Sequence, residues 1–239
     1  GLDSVSLSAN WMWPCKNEGE DARLYKAVEG AEKFALDLGI NIPTGKDSLS
    51  MTQKYKDGQS VIAPGTVIIT AAGEVSDIKK CVKAALQRKA SDMVYVDMSR
   101  SAFSLGGSSF AQLTGAVGAD TPTVNDAAYC ARAFEAVQRL VNEGKILAGH
   151  DVSAGGLITA LLEMCFTNNT TGMNIALDSL GENDIIKALF SERPSLVLQV
   201  ANGQAVKQEL AAMGVDAYVI GSVTMDRKFN VSASGVEFE

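Results

Sequence analysis

A chain of 239 residues, 46% hydrophobic and 21% charged, can bury one large core or two smaller ones. Its formal net charge of −7 excludes a broad nucleic-acid surface, which needs clustered lysines and arginines, and leaves room only for a local basic pocket. No apolar run is long enough to cross a bilayer, and no secretory signal opens the chain. The four cysteines, Cys15, Cys81, Cys130 and Cys165, form no CxxC pair, so free thiols in a reducing cytoplasm are expected. A start at Gly-Leu-Asp rather than Met reads as an excised piece of a longer protein.

In chain order, "WMWPC" (11–15) comes first, and its two tryptophans are expected to pack a loop onto a core. Residues 20–38 then carry Leu24, Val28, Ala31, Ala35 and Leu38 at helical spacing, closed by Gly39. "INIPTG" reads as a short strand. "SLSMTQKY" and "GTVIITAAGEV" read as strands joined across "KDGQ", whose Asp-Gly is a turn signal. The segment "SDIKKCVKAALQRKASD" reads as a partly helical connector.

A second unit opens with a strand at 93–98 and the glycine-rich loop "SLGGSSF". Thr123 and Asp126 fit a capping box ahead of a helix that carries Ala127, Cys130, Ala131, Phe134, Val137 and Val141 on one face. Strands at 145–151, 173–177, 195–201 and 217–224 follow, with helices at 156–166, near 183–190 and at 204–213, and then a last hairpin in "FNVSASGVEF". This order gives two α+β units, divided at 85/86, rather than a doubly wound parallel sheet.

Three motifs could carry chemistry. "TGKDSLSM" (44–51) fails as a P-loop, because position 40 is Ile and position 47 is Asp. Gly45, Lys46, Asp47 and Ser48 still gather a cation, a carboxylate and a hydroxyl in what reads as a strand-to-strand loop, suited to a phosphorylated ligand or simply to solvent. "LGGSSF" (105–110) lets backbone approach an anion ahead of a helix start, or makes a plain turn. "LAGHDVSAGGL" (147–157) holds the single histidine. It lacks the GxSxG elbow, and His150 and Asp151, adjacent on what reads as a strand, point to opposite faces, so a local triad activating Ser153 is not expected. Asp151 at a strand's carboxyl end supplies the hard oxygen that magnesium takes alongside phosphate oxygens. A helix cap by Asp151 or Ser153 is the competing explanation.

These stretches together resemble one family. "LSANWM" (7–12), "GEDARLY" (19–25), "IPTGKDSLSM" (42–51), "LGGSSFAQ" (105–112), "HDVSAGGL" (150–157), "LLEMCF" (161–166) and "LFSERPS" (189–195) are similar in order and spacing to the long, single-chain phosphoribosylformylglycinamidine synthases. The resemblance covers essentially the whole chain and points to the second half of their synthetase region. It implies an α+β fold like that of aminoimidazole ribonucleotide synthetase. Part of an N-terminal-type, barrel-forming subdomain (1–85) would precede a C-terminal-type α/β/α subdomain (86–239).

The activity so implied is ATP-dependent conversion of formylglycinamide ribonucleotide and glutamine to formylglycinamidine ribonucleotide in purine synthesis. The resemblance carries a magnesium-ligand role to Asp151, nucleotide contact to Ser153 and Gly45, and substrate contact to Ser48. Lys46 stands where shorter members have a metal-binding Asn; its ammonium has no lone pair and cannot ligate metal. Val152 and Ala154 stand where many relatives have Arg and Asp. ATP or ADP and Mg2+ are the implied cofactors. The implied partners are the other synthetase half and a glutaminase domain, with self-pairing of this chain as a further expectation and neither nucleic acid nor membrane. No catalytic residue is assigned, and the fragment alone is expected to be inactive. The alternative is a non-catalytic structural half that holds an auxiliary nucleotide.

Overall fold

The computed structural model describes residues 1–167, 169–233 and 235–238. It divides into two units, Gly1–Ser76 and Asp77–Glu239, parted at the start of the 76–92 connector.

The smaller unit is built on β1 (Val5–Met12), the middle strand of a three-stranded sheet. A helix, α1 (Glu20–Leu38), crosses over to β2 (Asn41–Ser48), which runs parallel to β1. The helix stops where expected. Gly39 adopts φ 69° and donates its N–H to Ala35 and Leu36, a conformation that costs a side chain-bearing residue energy. Ala35 is the one residue of the predicted stripe that is fully buried, and Val28 remains exposed. Beneath the helix lies an apolar cavity of about 500 Å3 lined by Ala9, Trp11, Val28, Ala31, Ala35 and Ile40. Trp13 is buried, and a side chain at Gly65 would run into its ring.

Two sequence expectations change here. "TGKDS" is strand rather than loop, since Gly45–Ser48 pair in register with Ala9–Met12. The Asp57-Gly58 turn joins two short strands, β3 (Thr52–Lys54) and β4 (Ser60–Ile62), whereas the long apolar strand β5 (Thr66–Gly73) pairs antiparallel with β1.

The larger unit begins with an irregular segment whose only helical turn is Ile78–Lys80, so the connector is less helical than predicted. It then contributes β6 (Asp92–Asp97), α2 (Ser109–Leu113), α3 (Ala127–Asn142), β7 (Ile146–Val152), α4 (Gly156–Phe166) and β8 (Gly172–Ala176). After these come α5 (Ile185–Phe190), β9 (Ser195–Val200), α6 (Gly203–Ala212), β10 (Ala217–Thr224), β11 (Phe229–Ala233) and β12 (Val236–Phe238). The strands form one sheet in the order β12-β11-β8-β10-β6-β9-β7, antiparallel except for β8 with β11.

Both faces of this sheet are covered. Met93 and Tyr95 of β6 point into a core with Leu157, Leu161 and Met164 of α4, whereas Val94 and Val96 point into another with Tyr129, Val137 and Leu140 of α3 and Leu210 of α6. A central strand buried on both sides explains why "MVYVDM" is an unbroken apolar run rather than an alternating one. The result is the α/β/α layering expected of the second unit. The capping detail differs. Asp126 rather than Thr123 begins α3, its Oδ1 accepting the Tyr129 N–H at 2.9 Å.

Candidate functional site

The sheet register gathers the chemistry of the larger unit at one end. Asp97 and Val152 both pair with Ser195, so the carboxyl ends of β6 and β7 meet the start of β9 in a single row. From this row emerge the loop after Asp97, the turn Ser153–Gly155 into α4, and the segment "SERP" before β9.

Asp151 and Ser153 are brought together there, and both face solvent. Asp151 also stands at the rim of an open, mainly apolar crevice of about 370 Å3 lined by Val82, Val137, Val141, Leu196 and Leu198. His150 points toward α4, with Nε2 3.2 Å from Glu163 Oε2 and Nδ1 2.7 Å from the Asp151 carbonyl oxygen. Its Nδ1 also lies 3.5 Å from Asp151 Oδ1, so the two side chains are not as fully separated as strict strand alternation predicts. Neither Asp151 nor Ser153 caps α4 through its side chain, because the N-cap is Gly155.

The two glycines of this turn are required by packing. Gly155 has φ 88° and Gly156 φ 75°. A Cβ on Gly156 would come within 2.6 Å of the Leu189 carbonyl oxygen, and one on Gly155 within 2.3 Å of Thr159 Oγ1.

The "LGGSS" loop is likewise closed on itself. The N–H groups of Gly106, Gly107 and Ser108 donate to Asp120, Val117 and Leu105 carbonyls, and a Cβ on Gly106 would strike the Asp120 backbone. Ser108 caps α2 by accepting the Ala111 N–H. The remaining donor, Ser109 N–H, goes to Glu192 Oε1 at 2.7 Å. The same oxygen accepts the Gly155 N–H at 2.8 Å. Partial burial pushes the Glu192 carboxyl up, but the bonds from Gly155 and Ser109 outweigh it and hold the group below its usual range.

Beside Glu192, Arg193 is buried and paired with Asp97 Oδ2. Its guanidinium lies 4.4 Å from the Phe103 ring centroid. Asp97 Oδ1 accepts the N–H groups of Ser99 at 2.9 Å and Arg100 at 3.1 Å. Arg100, the one described non-glycine residue with positive φ, at 53°, stacks on Tyr129 at 4.1 Å. The stretch "LFSERPS" marks the family resemblance, but no site role follows from the sequence for Glu192, Arg193 or Asp97. Two adjacent charges between a helix and an apolar strand were the available signal.

In the smaller unit, Gly45 and Ser48 both lie on β2. A Cβ at Gly45 would run into the Ala9 backbone, so the strand pairing itself demands glycine. Ser48 Oγ accepts a hydrogen bond from Lys46 Nζ, which also donates to the Asp47 carbonyl at 2.9 Å. Lys46 and Ser48 pair with Asn10 and Met12. Among the described residues no group of three or more His, Cys, Asp or Glu is placed to hold a metal ion.

Comparison with known proteins agrees with this architecture. Residues 1–74 match the family model of the FGAR-AT PurM_N-like domain, and residues 99–234, more than half of the chain, match that of the AIR synthase related protein, C-terminal domain. A probable phosphoribosylformylglycinamidine synthase, chloroplastic/mitochondrial, of Arabidopsis thaliana is 39% identical over 239 residues, covering 98% of this chain. This chain spans only 17% of that relative's length.

Among solved structures, PurL of Thermotoga maritima complexed with ATP superposes with a TM-score of 0.71 at 16% identity, over 98% of this chain and 36% of its own. The same protein complexed with FGAR gives 0.67 at 17%, over 97% and 38%. HypE of E. coli, a hydrogenase maturation protein, gives 0.63 at 19%, over 98% and 71%. At such identities these structures show the shared fold. The family models and the plant relative together show that the chain belongs to the AIR synthase-related family and is a relative of phosphoribosylformylglycinamidine synthase.

Proposed function

We propose that this chain is part of an ATP-dependent ligase that converts formylglycinamide ribonucleotide, glutamine and ATP to formylglycinamidine ribonucleotide, and that it supplies nucleotide-binding residues to that enzyme. The observation that carries the reading is the 39% identity to a synthase of that name across both units. The ligand chemistry is consistent with it, since PurL structures of the same fold are complexes with ATP, ADP and FGAR. In this reading Asp151 is the magnesium ligand, Ser153 and Gly45 contact nucleotide, and Ser48 contacts substrate.

The residues at the end of β7 fit a magnesium ion held in part by its nucleotide. Asp151 offers one exposed carboxylate without a closed protein cage, and Mg2+ bound to phosphates commonly takes one or two carboxylates and keeps several waters. Bound there, the ion would neutralise phosphoryl charge. This chain's part is to hold Asp151 rigidly on β7 and present Ser153 beside it. The apolar crevice at Asp151 is of a kind that suits a flat ring. The chain alone is expected not to catalyse the reaction. Measurable amidine formation by it with ammonia as donor would overturn that expectation. Four free cysteines are consistent with a cytoplasmic setting, and no described helix is long and apolar enough to cross a membrane.

One observation favours a second reading, in which the nucleotide is an auxiliary one that never reacts. The backbone N–H groups of residues 106–109 are already engaged within the protein and do not form an open cradle for a transferring phosphoryl group. Calorimetry of ADP with magnesium against this chain, wild type and Asp151→Asn, tests the site itself. Binding that is lost in the variant supports the assignment, and equal binding refutes it. In an enzyme competent for turnover, Asp151→Asn then separates the two readings. Lost rate with retained stability indicates a reacting nucleotide, and lost stability an auxiliary one.

A further inference from the structure

Ser109 and Gly155 are far apart in sequence, yet their N–H groups end on the same oxygen, Oε1 of Glu192. The first begins α2 and the second is the N-cap of α4. Glu192 itself has little freedom to wander. Its neighbours Ser191 and Arg193 are 3% and 8% exposed, and Arg193 is pinned by Asp97 and stacked on Phe103. Around this oxygen the elements close tightly. Phe110 of α2 lies 4.8 Å from Phe190 at the end of α5, and Gly156 fits against the Leu189 carbonyl.

The consequence reaches Ser153. Its carbonyl accepts the Gly156 N–H at 2.9 Å, so Ser153, Gly155 and Gly156 form one turn, and the middle of that turn is fixed by Glu192. A charged acceptor shared by two backbone donors is stronger than a neutral one, and it fails for both partners together if the side chain is removed.

We propose that Glu192 is a positioning residue that locks the "LGGSS" loop to the "HDVSAGG" turn and so sets where Ser153 stands beside Asp151. The role in ligand binding rests on the nucleotide-site reading of Asp151 and Ser153, whereas the lock itself does not. Glu192 acts through the two loops and need not touch the ligand. The buried neighbour Arg193, paired with Asp97, anchors the backbone next to Glu192.

The test compares the intact chain with Glu192→Ala and Glu192→Gln by amide hydrogen exchange, calorimetry of ADP with magnesium, and thermal unfolding. In Glu192→Ala the Ser109 and Gly155 amides should exchange about tenfold faster together, and ADP affinity should fall about tenfold. Those changes correspond to the charge-assisted bonds lost. Glu192→Gln keeps an oxygen acceptor at the same place and should restore most of the protection and affinity. A merely structural role would instead make affinity follow melting temperature across the variants, with no selective effect on those two amides.

Unchanged exchange at both amides in Glu192→Ala, or faster exchange at one alone, overturns the lock. If Glu192→Gln keeps both amides protected but loses the affinity, the carboxylate acts on the ligand directly and the positioning role is wrong. If the wild-type chain binds no ADP, the nucleotide reading fails while paired exchange still decides the lock. Should Glu192→Ala not fold, Ser109→Pro removes both the N–H and the hydroxyl that Ser109 offers Glu192, at a helix position that accepts proline, following a residue with ψ 160°. A severalfold loss of ADP affinity in that variant supports the proposal, and unchanged affinity refutes it.

Discussion

Arg193 and Asp97 form an ion pair inside the larger unit, with 9% and 4% of their side-chain surfaces exposed. The pair joins the end of β6 to the approach to β9, and Asp97 uses its other oxygen to hold the Ser99–Arg100 backbone. Removing one partner leaves the other charge buried without compensation. Asp97→Asn or Arg193→Met should each cost about 3–5 kcal/mol in urea denaturation. The double variant should cost clearly less than the sum, because no unpaired charge then remains. Full additivity, or single effects near zero, would show that the pair is well solvated.

Gly156 and Gly181 make a matched contrast. Both have positive φ, 75° and 72°, but a Cβ at Gly181 meets nothing within 4 Å, whereas one at Gly156 meets the Leu189 and Phe190 backbone. Gly181→Ala should therefore cost only the left-handed strain, about 1 kcal/mol. Gly156→Ala should cost about 3 kcal/mol or more, because backbone on α5 must give way. Equal losses in thermal unfolding would mean that α4 and α5 separate easily, which would weaken the packing explanation of the paired glycines.

Much of the fold is legible in the sequence because its signals are local. The stripe on α3, the apolar β6 run and the glycine stop after α1 each state their own structure within a few residues. The misread parts were decided by distant partners. "TGKDS" has no apolar alternation, and it becomes strand because β1 offers a ladder and Gly45 lets the backbones approach. The apolar strand β5 was assigned to the Asp-Gly hairpin, but β1 captures it and leaves the turn to three-residue strands. At the site, Asp151 and Ser153 were visible as a carboxylate and hydroxyl ahead of glycines. Glu192 and Arg193 show only as two adjacent charges, and nothing near residue 97 reveals that it will meet residue 193.

The Glu192 carboxyl predicts a pH dependence. Its folded-state value lies below the ordinary one, so its stabilising contribution is fully present above the unfolded glutamate pKa of about 4.3. The contribution is lost as pH falls through the lowered folded value. The stability gap between wild type and Glu192→Gln should therefore be constant near neutrality and close on acidification below about pH 4. Urea midpoints measured from pH 7 downward check this. A gap that widens in acid would contradict the hydrogen-bonded arrangement.

The smaller unit predicts self-association. All eight residues of β5 are exposed, among them Val67, Ile68 and Ile69, and the strand pairs only with β1 among the described residues. A long apolar strand with an open row of backbone donors and acceptors is a template for pairing, and β5 carries no charged side chain or proline to discourage it. We expect light scattering to give a mass twice the 25.2 kDa of one chain. Ile68→Lys, which puts a charge in the middle of the strand while leaving its backbone intact, should return the monomer without lowering thermal stability. A wild-type chain that stays monomeric at every concentration tested would mean that this strand is protected in solution, and an Ile68→Lys dimer would place the contact elsewhere.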